Sequence, residues 1–367
     1  MKTICLNMIV KNESHVIRRC LAAVRDYIDY WVIVDTGSLD GTQEIIQDFM
    51  KGYPGELHER RWENFEHNRN EALDLARKKT DYILFVDADE VMHFSYDFNP
   101  DKLVKDFYLL KTVAEGHEFY FPKLIKEDPD WEWTHVLHEF VRHKGAATGE
   151  IFTEIWTQSI QDGARSIDPG KNYKDIEILK NAIKKEPYNP RYYFYLAQTY
   201  VMTQDLHQAL ENYEIRANMK GDVDETFWAL FSVGLMQERI GMDSMTYVQS
   251  YCKAHQFSPD RAEPLERIAN YYFQNNCASI AYILMKYAQT LPTPIPMNSG
   301  YYNWVYDFAV YSICADCAVE LGKKEEARDL YQKIFEKDNI PTDLISHIHR
   351  QLARLDGTMQ NDYTNWL

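Results

Sequence analysis

Apolar and polar positions form alternating blocks over the first ninety residues of the chain. Apolar runs at residues 3–10, 30–34 and 82–86 predict buried strands, and residues 56–61 predict another. Between these runs, apolar side chains recur at helical spacing and predict helices at residues 15–27, 42–50 and 68–78. Strands and helices that alternate in this way are typical of a mostly parallel, Rossmann-like sheet with crossover helices. The N-terminal part is therefore predicted to be α/β.

Polar loops follow three of these predicted strands. The first strand ends in Lys11-Asn12-Glu13, the second leads into Asp35, and the last ends at Asp87 and Asp89. In a parallel sheet these loops lie along one edge, where ligands of open α/β sheets bind. Alternate positions place both carboxylates of the last loop on the same side of the chain. This arrangement suits a hard divalent cation, and its alternative is an acidic turn after a core strand.

The chain between residues 92 and 143 predicts strands at 118–124 and 136–143 with an irregular charged loop, 126–133, between them. This loop is interpreted as a mobile lid or acceptor loop, or as a solvated connection. The second strand would contain His138 and Glu139, whose side chains would then point to opposite faces unless a bulge or strand end intervenes. A zinc-protease pattern is excluded because the position that would need histidine is Arg142.

The second half of the chain is helical in pattern. Residues 187–219 have the length of a helix-turn-helix unit, with Ala197 and Ala209 as small packing positions. Similar units begin at residues 222, 258 and 301, so the segment resembles a tetratricopeptide repeat array. We predict two domains, a catalytic domain at 1–165 and a repeat domain at 172–367. The concave face of such repeats suits a protein or peptide acceptor, or self-association into a homo-oligomer.

Composition limits the classes of partner and compartment. The chain has 367 residues, 45% of them hydrophobic, and a formal net charge of −16, which argues against a nucleic-acid partner. Six cysteines form no dense framework, and Cys314 and Cys317 are interpreted as small buried residues of a helix. The first strand begins by Thr3, which leaves no room for a signal peptide, and no apolar run is long enough for a membrane span. We expect a cytoplasmic protein.

Four segments, LNMIVKNE, VIVDTGSLDGT, the pair Arg69-Asn70 and FVDADE, occur in this order, and together they resemble the family-2 glycosyltransferases of the GT-A fold. The resemblance implies that Asp35 and Gly37 hold the base and ribose of a nucleotide-sugar. It also implies that Asp87 and Asp89 meet the diphosphate through Mn²⁺ or Mg²⁺, with Arg69 adding positive charge. The residues expected to bind the nucleotide-sugar are Val10, Asn12, Glu13, Asp35, Gly37, Arg69, Asp87 and Ala88.

The family-2 enzymes that carry C-terminal tetratricopeptide repeats are similar around His138 and Glu139. This resemblance implies that His138 is a third ligand of the metal, beside Asp87 and Asp89, or a ligand of the phosphate. It also implies that Glu139 is the catalytic carboxylate on the acceptor side. Three other acids remain candidates for the base: Asp128, Asp130 and Glu132.

These patterns predict a metal-dependent transferase that moves a hexose or aminohexose from a UDP-sugar to an acceptor. The family resemblance implies inversion at the transferred sugar. Two alternatives remain. A nucleotidyltransferase would share the metal acids, although Lys11-Asn12-Glu13 is not a glycine-rich phosphate loop. A non-catalytic scaffold would use the repeats alone and carry a vestigial sheet domain, although the intact acids at 35, 87 and 89 argue against it.

Overall fold

The computed structural model of the protein describes residues 1–114, 117–294 and 302–357. The chain is divided into two compact units. The first contains Met1–Thr203, and the second begins at Gln204. Each unit has its own hydrophobic core. Among the described residues no helix combines the length and apolar character that a bilayer crossing requires.

The strands and helices have the following bounds. The strands are β1 (Ile4–Val10), β2 (Tyr30–Asp35), β3 (Gly55–Glu59), β4 (Tyr82–Phe85), β5 (Glu90–Phe94), β6 (Phe107–Ala114), β7 (His117–Lys126), β8 (Trp131–Thr134), β9 (Phe140–His143) and β10 (Gly149–Ser159). The helices are α1 (Ile17–Val24), α2 (Thr42–Phe49), α3 (Phe65–Ala76), α4 (Lys171–Lys185), α5 (Pro190–Met202), α6 (Leu206–Ala217), α7 (Val223–Ile240), α8 (Ser244–Phe257), α9 (Glu263–Gln274), α10 (Ala278–Ala288), α11 (Val310–Glu320), α12 (Lys324–Phe335) and α13 (Thr342–Leu355).

The main sheet has the strand order β3-β2-β1-β4-β7-β6-β10-β5. The first four of these strands are parallel, as the sequence predicts, because α1, α2 and α3 provide the crossovers. Val10 at the end of β1 pairs with Asp35 at the end of β2, and β4 lies on the other side of β1. The polar loops after β1, β2 and β4 therefore meet at one edge. The far half is mixed, since β7 runs antiparallel to both β4 and β6.

A small hairpin of β8 and β9 changes one sequence prediction. The strand predicted from residue 136 begins only at Phe140. Residues before it form a loop in which His135 and His138 have φ values of 75° and 52°. A pleated strand needs strongly negative φ, so the prediction of a strand at His138 and Glu139 was wrong. The alternation that would separate these two side chains consequently does not apply.

The second half of the chain is helical, which confirms the predicted change from an α/β domain to an all-helical one. The segment 187–219 contains α5 and α6, and the units predicted from residues 222 and 258 contain α7 with α8 and α9 with α10. The last predicted unit begins at residue 301, outside the described residues, and its described part contains α11 and α12. Within the second unit, each of the helices from α6 to α12 packs on the next. The first compact unit continues past the sheet to include α4 and α5.

Candidate active site

The turn after β2 is fastened by Asp35. Its Oδ1 accepts hydrogen bonds from the backbone N–H of Gly37 at 2.9 Å and of Ser38 at 2.8 Å, and from Nε2 of Gln43 at 3.0 Å. Gly37 has a φ of +105°, which L side chains rarely adopt. Asp35 is fully buried, and its Oδ2 has no hydrogen-bond partner among the described residues. One oxygen thus holds the turn and the other is left unsatisfied.

The loop after β1 is tied to this turn through Asn12. Its backbone N–H donates to Oγ of Ser38, and its Oδ1 accepts from the N–H of Leu39, both at 2.8 Å. Asn12 has a left-handed φ of 58°, a conformation that asparagine tolerates better than most residues. These two bonds keep the loops after β1 and β2 together.

Glu13 is the acid of the first loop. Its backbone N–H donates to Oγ1 of Thr42 at 2.8 Å, and its Oε2 accepts from the N–H of Ala164 at 3.1 Å. Burial raises the pKa of Glu13 to about 7, and the nearby charge of Asp89 acts in the same direction. The fold therefore keeps a carboxyl where its charged form is disfavoured, which is common at functional sites.

Asp87 directly follows β4 and faces a cation. Its Oδ1 accepts a hydrogen bond of 2.8 Å from Nη2 of Arg69. Burial acts to raise the pKa of Asp87, but the charges of Arg69 and Lys123 outweigh it and hold this pKa below its ordinary value. Among the described residues, Oδ2 of Asp87 accepts no hydrogen bond. Asp87 is therefore ionised, with one oxygen available to a ligand.

Asp89 lies two residues further on, under a later segment of the chain. Its Oδ2 accepts long hydrogen bonds from the N–H of Gly163, at 3.4 Å, and from Oγ of Ser166, at 3.3 Å. Within the described part of the chain its Oδ1 makes none. Asp87 and Asp89 thus each offer a free carboxylate oxygen, and such hard oxygen donors fit Mg²⁺ or Mn²⁺.

Arg69, on α3, joins two acids of the site. Its Nε donates to Oε1 of Glu139 at 2.7 Å, while Nη2 holds Asp87. The guanidinium also lies 4.7 Å from the ring centre of Trp133, and its side chain is only 11% exposed. Burial would lower the pKa of Arg69, but the two carboxylates raise it. Arg69 is thus a buried cation shared by the metal acid and the candidate base.

Glu139 and His138 lie side by side in the loop before β9. The ring of His138 stacks on Tyr195 of α5 with ring centres 3.8 Å apart, and its carbonyl oxygen accepts from Nη2 of Arg191 at 3.0 Å. Desolvation in the cleft lowers the pKa of His138, and the charges of Arg191 and Lys171 act in the same direction. Its imidazole is therefore neutral, the form that ligates metals. Oε2 of Glu139 has no hydrogen-bond partner in the described residues and is free to accept a proton.

Two cavities meet at Asp87. The smaller, of about 610 Å³, is lined by most of the residues predicted to bind the nucleotide-sugar: Val10, Asn12, Glu13, Arg69, Asp87 and Ala88, with Asp89. The larger, of about 740 Å³, is lined by Asp87, Arg69, His138 and Glu139. Asp35 and Gly37 line neither cavity. The shared wall consists of Phe65, Arg69, Asp87, Gln161, Arg165 and Lys171.

The three predicted metal ligands do not form a ready-made cluster. Ligand atoms of Asp87, Asp89 and His138 are not all within 4.8 Å of one another in the described residues. Asp87 shares the smaller cavity with Asp89 and the larger one with His138. The two aspartates thus form the better-defined pair, and the metal role of His138 stays a prediction.

The rival acids for the base lie elsewhere. Asp128, Asp130 and Glu132 line neither cavity. Glu132 is paired with Arg142 at 2.8 Å. Asp128 and Asp130 lie near His143, with donor atoms of all three within 4.8 Å of one another. Of the four candidate bases, the structure brings only Glu139 to the cavities.

Sequence reasoning missed the contribution of residues 161–171. Residues 162–171, rich in glycine, proline and aspartate, have the composition of a linker, but Arg165 and Lys171 line both cavities, as does the adjacent Gln161. It also approaches the acids closely, since a Cβ added to Gly163 would come 3.0 Å from Oδ2 of Asp89. The sequence did contain a signal for this contribution, namely the two basic residues Arg165 and Lys171, because a predicted diphosphate site needs positive charge.

Comparisons with known proteins agree with this architecture. Residues 5–98 match the family model of glycosyl transferase family 2, which confirms the resemblance found in the sequence. The glycosyltransferase SunS of the SPbeta prophage in Bacillus subtilis is 23% identical over 244 residues, covering 58% of this chain and 54% of SunS. A TPR repeat-containing protein of Synechococcus elongatus is 38% identical over 151 residues, covering 38% of this chain and 36% of that protein. The chain thus matches only about a third to a half of the length of these relatives.

Solved structures similar to the chain include proteins built of TPR repeats. TTC0263 of Thermus thermophilus, a thermophilic TPR protein, is 19% identical with a TM-score of 0.35, covering 50% of this chain and 91% of that structure. MamA is 16% identical with a TM-score of 0.38, covering 48% of this chain and 93% of that structure. Similarity at this level does not define the fold, which rests on the helices described above.

Proposed function

We propose that the protein is a metal-dependent, inverting glycosyltransferase that moves a hexose or aminohexose from a UDP-sugar to an acceptor. The observation that carries the proposal is the position of Asp87 and Asp89. Both follow β4 at the carboxyl edge of the sheet and line the smaller cavity, and each has a carboxylate oxygen that accepts no hydrogen bond from the described part of the chain. A glycosyltransferase family match over residues 5–98 supports the same chemistry.

The smaller cavity is assigned to the UDP-sugar. Asn12 and Glu13 line one side of it, and Asp35 lies beneath the adjoining turn. The N–H of a pyrimidine base would satisfy Oδ2 of Asp35, which is buried without a partner among the described residues. Binding of the base there requires the turn at Gly37 to move, since Asp35 is covered.

Asp87 and Asp89 would hold Mn²⁺ or Mg²⁺, with His138 as the additional donor. When bound, such an ion supplies positive charge to the diphosphate. Arg69 keeps Asp87 ionised for this task. Glu139, held by the same guanidinium, takes the proton from the acceptor atom while that atom bonds to the anomeric carbon and the bond to the diphosphate oxygen breaks.

The larger cavity is assigned to the acceptor because it contains Glu139 and opens beside Asp87. We propose a protein or peptide acceptor, with the helical repeats as the surface for it or for a second copy of the chain. All six cysteines are free thiols, which fits the reducing cytoplasm. The formal net charge of −16 remains an argument against nucleic acid.

Calorimetry with UDP, GDP and dTDP, with and without Mn²⁺, tests the donor assignment. We expect UDP to bind most tightly and only weakly without the metal. Slow release of UDP from a UDP-sugar without acceptor should follow, because water can replace the acceptor. Failure to bind or turn over any of the common nucleotide-sugars would favour the scaffold alternative, and release of pyrophosphate from UTP with a sugar phosphate would favour a nucleotidyltransferase.

A further inference from the structure

Three cations line the wall shared by the two cavities, namely Arg69, Arg165 and Lys171. Arg69 is engaged by two carboxylates of the site. The guanidinium of Arg165 is hydrogen-bonded to Asp175 and lies 4.8 Å from the ring centre of Phe65. The positive charge of both arginines is therefore already balanced by the protein.

Lys171 differs from these two arginines. It is the first residue of α4 and half-buried, and its ammonium group forms no ion pair within 4.0 Å with a carboxylate of the described residues. Lys174, one turn further along the same helix, is paired with Asp168 at 2.6 Å. Lys171 itself lines the larger cavity together with His138, the candidate metal ligand. Lys171 thus adds an unbalanced positive charge to the shared wall.

A departing nucleoside diphosphate needs positive charge at this wall. The proposed reaction breaks the bond between the sugar and the diphosphate at the junction of the donor and acceptor cavities. Negative charge then grows on the released oxygen, and a cation fixed in a partly desolvated site stabilises it more than water does. An ammonium group suits this task as a compact point charge for phosphate.

We infer that Lys171 binds the diphosphate of the donor and stabilises it as it leaves. This inference rests on the proposed function and extends it, because it makes a residue outside the family-matched segment 5–98 part of the donor site. It also assigns to α4 a role in binding, in addition to the packing of Leu179 and Ile176. The first residue of α4 then completes a site whose acids and turns lie in the loops that follow the strands of the sheet.

The test compares Lys171→Gln with Lys184→Gln, an exposed lysine near the end of the same helix whose ammonium bonds only Asn181 in the described structure. Affinities for uridine, UMP and UDP are measured by calorimetry with Mn²⁺ present. Lys171→Gln should weaken UDP binding about 10- to 100-fold, the size of a lost charge-assisted hydrogen bond, and leave uridine binding unchanged. Lys184→Gln should match the parent for all three ligands.

Two results overturn the inference. One is UDP binding by Lys171→Gln within about twofold of the parent, and the other is an equal loss for uridine and UDP, which indicates a structural role. Lys171→Arg keeps the charge and should retain most of the UDP affinity, so the inference stays testable if the glutamine variant folds poorly. A failure of the proposed function would give a different result from a failure of this inference, because the unaltered protein itself would then not bind UDP.

Discussion

Oε1 of Glu139 accepts a hydrogen bond of 2.7 Å from Nε of Arg69, seventy positions earlier in the chain. The same guanidinium holds Asp87 at 2.8 Å, so one buried cation fixes the candidate base beside the candidate metal acid. This geometry couples two tasks of the proposed reaction, because loss of the cation would remove the charged hydrogen-bond donor of both carboxylates.

Replacement of Arg69 by Ala should therefore destabilise the first unit. The side chain is 11% exposed, and removal of one partner from a buried ion pair costs about 3–5 kcal/mol. Urea unfolding of Arg69→Ala measures this loss. The matched control is Arg60→Ala, which removes a 3.7 Å pair with Glu71 at a 38% exposed position and should cost less than about 1 kcal/mol. Equal unfolding midpoints for the two variants would contradict the structural role of Arg69.

Glu139→Gln should separate catalysis from binding. UDP binding should stay close to that of the parent, while transfer slows by roughly 10²–10⁴-fold, the usual contribution of a positioned general base. Single-turnover rates and UDP affinity are measured on the same preparations. Asp128→Asn, Asp130→Asn and Glu132→Gln serve as controls and should retain most of the rate, because these acids line neither cavity. A fully active Glu139→Gln would move the base to one of these three.

His138→Ala should weaken metal-dependent UDP binding. The ring of His138 lies in the larger cavity with Asp87, and its lowered pKa keeps it neutral for a metal or phosphate oxygen. Tyr195→Leu removes the stacked ring but keeps the imidazole of His138, so a smaller loss of UDP affinity than in His138→Ala separates loss of the imidazole from loss of packing. Unchanged UDP affinity of His138→Ala with Mn²⁺ would show that His138 is a structural residue.

Glu13→Gln should stabilise the protein at neutral and higher pH. A carboxyl whose pKa rises from 4.5 to about 7 on folding binds its proton more tightly in the folded state. Its charged form therefore destabilises the fold as pH rises above 4.5, and the full effect is present above about 7. Glutamine can still accept the N–H of Ala164 and carries no charge.

The measurement is the melting temperature of the parent and Glu13→Gln at about pH 5 and about pH 8. The gain from the substitution should be larger at the higher pH. Glu177→Gln, at an exposed position of α4, should leave the melting temperature nearly unchanged at both. A gain of Glu13→Gln that falls with rising pH would contradict the raised pKa.

Much of the first ninety residues could be predicted because their signals are local. Apolar runs that end in polar loops identify β1, β2 and β4, and parallel topology then brings Val10 and Asp35 to the edge where Asp87 follows β4. The repeat period in the second half likewise predicts units that begin at residues 222 and 258, close to the first residues of α7 and α9.

Other parts of the site depend on contacts between distant residues. A left-handed φ at His138 delays the start of the expected strand to Phe140, and the apolar pattern of residues 136–143 contains no sign of it. The partners of Arg69 lie 18 and 70 positions away, so its link between two acids is decided by tertiary packing. Lys171 reaches the site because residues 161–166 fold back over Asp89, although their composition is that of a linker.

Asp89→Asn provides the most direct test of a metal-dependent UDP-sugar site. The substitution keeps the shape of the side chain and removes one negative charge from the pair with Asp87. The affinity for UDP is measured by calorimetry with and without Mn²⁺, with Asp48→Asn, a 76% exposed surface aspartate, as the matched control. Asp89→Asn should lose more than about tenfold in UDP affinity with Mn²⁺, since loss of a ligand costs at least as much as loss of a supporting group, and the control should match the parent. Binding of UDP and Mn²⁺ by Asp89→Asn as tightly as by the parent would contradict the assignment of the acids after β4 as the metal site.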